Sequence, residues 1–255
     1  MRKIKTILII VFVLFPLVVS AQLDSLIDNF LLNTSETTTE ADITLNDFKL
    51  IWSADTYTPF KYEGRALPTR GSKVTIIAVV DVSGGNPESL IYSWFLDDVF
   101  QEDKSGYGRE TFDFRIRRFG GQTQTVFLKL FNDSRSFYTE KTLTIPITDP
   151  EIIIYPLRSS DEGNQISTIK AGRKSSFIAK PYFFSMNKLT DLSFEWKFAG
   201  SLKSTTSSTY AANILDIDIS NKSDSKILEQ ILYVGIENKT NSFQTASQTI
   251  KVRIW

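Results

Sequence analysis

Asp216 and Asp218 stand two residues apart in the run Leu215-Asp216-Ile217-Asp218-Ile219. On a strand this spacing puts both carboxylates on one face, roughly 6.6 Å apart, a separation that glycosidase acid pairs can show. The same alternation places them on the solvated face of a half-buried strand, where neither is desolvated enough to act as an acid. Asp97, Asp98, Glu102 and Asp103 form a denser acidic group. They are weak calcium candidates, because calcium needs several oxygen ligands converging from separate loops.

Aromatic side chains are the better candidates for recognition. Tyr57, Phe60 and Tyr62 lie in a loop bounded by Pro59 and Gly64, and Tyr107 lies in Ser105-Gly106-Tyr107-Gly108. Rigid rings on such loops give a large contact area at low entropy cost, to a sugar face or to a protein partner. The same rings could instead plug the end of a sandwich or pack on a second one. Arg115, Arg117 and Arg118 make a basic stripe, which Asp113 and Glu110 dilute, so nucleic acid is not an expected partner. Ser167-Thr168-Ile169-Lys170 and Ser223-Asp224-Ser225-Lys226 match a Ser-x-x-Lys string without the helix start and companion motifs its chemistry needs. Asn33, Asn132, Asn221 and Asn238 each lead an Asn-x-Ser/Thr string, a glycan acceptor in a eukaryotic secretory route.

Composition narrows the chemistry further. The 255 residues include no Cys and no His. Thiol nucleophiles, disulfides, imidazole zinc sites and a Ser-His-Asp triad are therefore excluded. Lys plus Arg equals Asp plus Glu at 29 each, so no polyanionic partner is implied. No catalytic residue, cofactor or metal is assigned.

The chain opens with Arg2, Lys3 and Lys5, followed by an apolar run from Ile7 to Val19 and by Val19-Ser20-Ala21. This is the pattern of a signal peptide over residues 1–21, and its apolar run is shorter than the roughly 17 residues or more of a membrane span. The expected location is secreted or at the cell surface, with no stable span after cleavage. Retention through an uncleaved signal segment is the alternative. Leu23, Leu26, Ile27, Phe30 and Leu31 recur at helical spacing, and Asn33 to Asp42 is a polar linker.

From Ile43 the period becomes two. Phe48, Leu50 and Trp52 begin the pattern; Val74, Ile76, Ala78 and Val80 continue it. Leu90, Tyr92, Trp94 and Leu96 share one face of the next strand, and Phe112, Phe114 and Ile116 one face of a later one. The plan then repeats. Gly71 answers to Gly172, Trp94 to Trp196, Phe112–Ile116 to Leu215–Ile219, and Thr142 to Thr249, at offsets growing from 101 to 107. An offset that grows only in the loops indicates duplication. The expected fold is all-β: two tandem immunoglobulin-like β-sandwiches over 43–149 and 150–255, each with a core Trp, Trp94 or Trp196. No flexible linker separates them at Asp149-Pro150, which predicts a stiff pair.

The leading glycine, the aromatic-x-Trp strands Tyr92-Ser93-Trp94 and Phe194-Glu195-Trp196, and Val126-Phe127-Leu128-Lys129-Leu130-Phe131-Asn132 resemble the PKD branch of immunoglobulin-like domains. That family follows its Trp with Phe-Gly-Asp-Gly, whereas this chain has Phe95-Leu96-Asp97-Asp98 and Lys197-Phe198-Ala199-Gly200. The resemblance implies an exported bacterial surface protein that acts, without catalysis, as a binding, adhesion or spacer module. Its partner would be a protein or glycan at the cell surface. Alternatives are a structural subunit of an envelope or filament assembly and a carbohydrate-binding accessory to an enzyme.

Overall fold

The computed structural model describes residues 42–157, 166–170, 174–202, 212–218 and 227–255. The expected signal segment, the 23–32 helix, Gly172, Ile219, Asn33, Asn221 and the 223–226 string lie outside the described residues. No α-helix occurs among those described, and none is long and apolar enough to cross a membrane.

The first eight strands are β1 (Thr44–Ala54), β2 (Lys73–Ser83), β3 (Ile91–Leu96), β4 (Val99–Phe100), β5 (Gly106–Tyr107), β6 (Thr111–Arg115), β7 (Thr123–Phe131) and β8 (Tyr138–Pro146). They build two antiparallel sheets, β1-β2-β6 and β4-β3-β7-β8, with β5 paired to β3. Consecutive strands cross between the sheets at β2 to β3, at β5 to β6 and at β6 to β7, which is the Greek-key wiring of an immunoglobulin sandwich. The inner faces meet in one core. Val74 and Ile76 of β2 and Phe112 of β6 pack with Tyr92, Trp94, Leu128 and Ile145 from the opposite sheet.

Strands β9 (Glu151–Pro156), β10 (Ile166–Ile169), β11 (Lys174–Tyr182), β12 (Leu192–Phe198), β13 (Ser201–Leu202), β14 (Ile214–Asp218), β15 (Leu228–Asn238) and β16 (Asn241–Ile254) repeat the arrangement. Their sheets run β9-β11-β14 and β10-β16-β15-β12-β13. β10 pairs in parallel with the end of β16. Phe177, Trp196, Leu215 and Val234 lie in a second, separate core.

Trp94 and Trp196 are the largest fully buried side chains of their cores. Burying an indole requires a partner for its N–H. The sequence supplies the same one twice: Trp94 Nε1 donates to the carbonyl of Arg109 at 2.8 Å and Trp196 Nε1 to that of Ala212 at 3.0 Å. Each acceptor lies just before the strand that faces the Trp across the core, β6 or β14. The Trp94 ring is stacked on Phe112 at 5.3 Å, and Phe112 on Phe114 at 5.2 Å.

The departures from Phe-Gly-Asp-Gly have a geometric meaning. Asp97 and Asp98 have φ of 47° and 66°, and Ala199 and Gly200 have 53° and 76°. Each pair links two paired strands, Leu96 to Val99 and Phe198 to Ser201. Two consecutive left-handed residues make the tight hairpin whose twist matches its strands. Both copies therefore turn at the same place with different residues.

Candidate binding face and the junction that supports it

The predicted aromatic loop is divided between two places. Tyr57 forms a β-bridge with Phe184: its N–H donates to the Phe184 carbonyl, and Phe183 N–H donates to its own, both at 2.7 Å. Tyr62 meets Tyr182 and Phe183 edge-on at 5.9 and 5.8 Å. The Tyr57 backbone and the Tyr62 ring belong to the contact between the sandwiches. Phe60 stands in solvent, 91% exposed. Tyr107 lies elsewhere, on the outer face of the β3 sheet.

The contact that Tyr57 enters is polar and closed. Thr69 and Gln244 are both fully buried. Gln244 Nε2 donates to Thr69 Oγ1 at 2.7 Å and to Ser185 Oγ at 3.1 Å, while its Oε1 accepts from Ser185 N at 2.9 Å and Asn238 Nδ2 at 2.8 Å. Thr69 Oγ1 passes its own proton to the Phe183 carbonyl at 3.0 Å. Beside this network the Arg70 guanidinium lies 4.1 Å from the Phe119 ring and 3.8 Å from the Phe243 ring, one from each sandwich. Cations between two ring faces are held electrostatically. A buried network with its donors and acceptors matched fixes one geometry, because any slip leaves polar groups unpaired in a dry place. Asn238 serves this network, and Asn132 is likewise buried, its side chain closing the β7–β8 hairpin through Phe137 N, Ser134 and Ser136. Neither of these two glycan-acceptor strings presents its Asn to solvent.

Of the acidic groups, Asp97, Asp216 and Asp218 are structurally employed. Asp97 accepts from Arg118 Nε at 3.1 Å, from Gln124 Nε2 at 2.6 Å and from Thr125 N at 3.1 Å. Burial raises its pKa, but the bonds from Arg118, Thr125 and Gln124 outweigh that and hold the carboxyl below the ordinary Asp value. Among the described residues no three acidic groups converge on a position for a metal ion. Asp216 accepts from Ser176 Oγ at 2.5 Å and Asp218 faces Lys174 at 3.6 Å, as side chains of a solvated strand do.

Tyr107 leads to a feature that loop reasoning missed. On the outer face of the β3 sheet, strand pairing lines up Phe100, Phe95, Phe127 and Thr142 in one row. A second row holds Ser93, Lys129 and Glu140, and a third Tyr107, Ile91, Phe131 and Tyr138. Phe95 touches Phe100 at 5.3 Å and Phe127 at 5.7 Å between ring centroids, and Lys129 lies over both Phe95 and Phe127. Phe100, Tyr107 and Tyr138 are about half exposed, at 48, 57 and 55%. Hydrogen bonds to Asp133 and Glu140 push the Tyr107 and Tyr138 phenols up.

The duplicate provides an internal control. Aligning Trp94 with Trp196, and Leu128 with Val234 through their pairing to those residues, gives the positions in the second sandwich. Phe95 becomes Lys197, Phe127 becomes Tyr233, Phe131 becomes Glu237 and Tyr138 becomes Thr245. One scaffold thus carries an aromatic face in the first copy and a largely polar one in the second. The signal available in the sequence was the outward phase of β7, where Phe127 and Phe131 alternate with the inward Val126, Leu128 and Leu130.

No family model and no curated protein sequence matches this chain. Among solved structures it is similar to the three N-terminal domains of the bacteriophage RB49 highly immunogenic outer capsid protein, at 14% identity and a TM-score of 0.45, over 82% of this chain and 59% of that one. It is similar to the Bacteroides ovatus mixed-linkage glucan utilisation locus protein SGBP-B in complex with a mixed-linkage heptasaccharide, at 11% identity and a TM-score of 0.26, over 84% and 47%. A third is the D1–D4 ectodomain fragment of ICAM-5, at 11% identity and a TM-score of 0.30, over 82% and 54%. The chain spans less than two thirds of each of these. The immunoglobulin-type sandwich rests on its own strand order and core.

Proposed function

We propose that this is an exported, non-catalytic binding protein of two immunoglobulin-like domains, residues 43–149 and 150–255, that docks a protein partner at the cell surface. The aromatic face of the first domain is the docking surface, and the closed junction holds the second domain at a set angle to it. The observation that carries this reading is the contrast between equivalent faces: Phe95, Phe131 and Tyr138 against Lys197, Glu237 and Thr245. Contiguous rings, partly or half exposed, on one of two equivalent faces mark a surface kept for contact rather than for solubility. A protein suits it better than a sugar. Between Phe100 and Phe131 the central row offers only Ser93, Lys129 and Glu140 to hydrogen-bond, too few for a hydroxyl-rich ligand.

Purified mature chain added to producing cells tests the proposal. Saturable binding is expected, reduced at least tenfold by Phe95→Ser with Phe127→Ser and unchanged by Tyr233→Ser in the second copy. Equal binding by both variants would leave the chain a spacer.

A further inference from the structure

The arginine stripe is not a plain solvated face. With the β3–β4 hairpin it lines a cleft of about 700 Å³, whose wall holds Arg115, Arg117 and Arg118 together with Gln101, Gln124 and Val99. Leu96 and Phe114 supply apolar wall. Three guanidinium groups share the cleft with one carboxylate, that of Asp97. Arg118 and Gln124 already bind it. Arg115 gives one N–H to the Gly71 carbonyl at 3.1 Å. Arg117 makes no ion pair or hydrogen bond among the described residues. Gln124 is buried, at 4% exposure, and its amide nitrogen is committed to Asp97.

We infer that this cleft takes a carboxylate carried beside an apolar group, from an acidic side chain at the border of the protein partner. The charge balance selects an anion, and Arg117 is a free fork able to bind a carboxylate through two parallel N–H bonds. The apolar wall selects what carries it: Leu96, Val99 and Phe114 fit a hydrocarbon stem, not the hydroxyls of a uronic acid. Position links the cleft to the docking surface. The two-residue strand β4 presents Phe100 to the aromatic face and Val99 to the cleft, so a partner lying across the face reaches both. The identity of the carrier rests on the docking reading above; the carboxylate chemistry of the cleft does not.

Nuclear magnetic resonance on the mature chain in 150 mM salt separates the two. The probe is 3-phenylpropionate, with 3-phenylpropanamide and galacturonate as comparisons. Expected are saturable shifts of the Arg117 Nε–H and Gln124 side-chain amide signals at millimolar 3-phenylpropionate, at least tenfold weaker with the amide and with galacturonate. Arg117→Ala abolishes them, while Lys129→Ala on the aromatic face leaves them in place. Equal shifts with the amide overturn the need for a carboxylate, and equal shifts with galacturonate turn the cleft into a sugar site. Loss in both variants alike would mean diffuse attraction, and absence of saturable shifts would end the inference. None of these outcomes alters the cell-binding comparison of the Phe95 and Phe127 variants.

Discussion

Gln244 on β16 and Thr69 in the loop before β2 meet at 2.7 Å in the interior of the chain, neither of them accessible to solvent. Gln244→Ala removes the centre of their network and leaves Thr69, Asn238 and the Ser185 amide short of a partner. Each such loss costs about 1–3 kcal/mol. We expect urea unfolding to show the pair of sandwiches destabilised by about 3 kcal/mol and their transitions separated. A single unshifted transition would mean that water replaces the amide.

Gly71 and Gly121 make a matched pair. Their φ angles are 85° and 78°, so an Ala at either costs about 1 kcal/mol of backbone strain. A Cβ on Gly71 would also lie 2.3 Å from Asn241 Nδ2, whereas one on Gly121 meets nothing within 4 Å. Displacing Asn241 breaks its 3.0 Å bond to the Arg70 carbonyl. Gly71→Ala should therefore be about 1 kcal/mol worse than Gly121→Ala in chemical denaturation. Equal losses would show that Asn241 contributes nothing to the junction.

Asp97 makes the first sandwich sensitive to acid. Its folded pKa is below the ordinary Asp value. Its contribution is thus complete above the unfolded pKa of about 4 and is lost as pH falls through the lower folded value. Asp97→Asn should cost about 1 kcal/mol at pH 7, and the difference from the unaltered protein should shrink as pH falls below the ordinary Asp value. Urea midpoints at a series of pH values measure it; a gap independent of pH would assign the loss to turn geometry instead.

The two indole bonds should be worth the same. Trp94→Phe and Trp196→Phe each strand a carbonyl, that of Arg109 or Ala212, and leave a cavity. About 2–3 kcal/mol is expected from each, agreeing within about 1 kcal/mol. A much smaller loss in the second sandwich would mean that its core can collapse around the smaller ring.

Much of the architecture could be read from the residues because side-chain alternation is local. Val126, Leu128 and Leu130 point inward wherever β7 pairs, and an indole at Trp94 and Trp196 has only the middle of a sandwich to fill. The turn at Asp97-Asp98 was not legible, since those carboxylates look like metal ligands until their φ angles are known. Tyr57 and Tyr62 were legible as candidates for recognition or for packing on a sandwich. That they face the second sandwich depends on Phe184 and Tyr182, more than a hundred residues away.

The sequence by itself determined the period-two strands, the repeated strand plan and the absence of thiol and imidazole chemistry, all of which follow from residue type and spacing. Only the tertiary structure decided which outward side chains become neighbours. Phe95 and Phe127 are adjacent because β3 and β7 pair in one register, and a shift of one residue would turn Phe127 into the core and Leu128 to solvent. That register is set by the whole packed core, so the aromatic face and the arginine cleft beside it exist only once both sheets have closed.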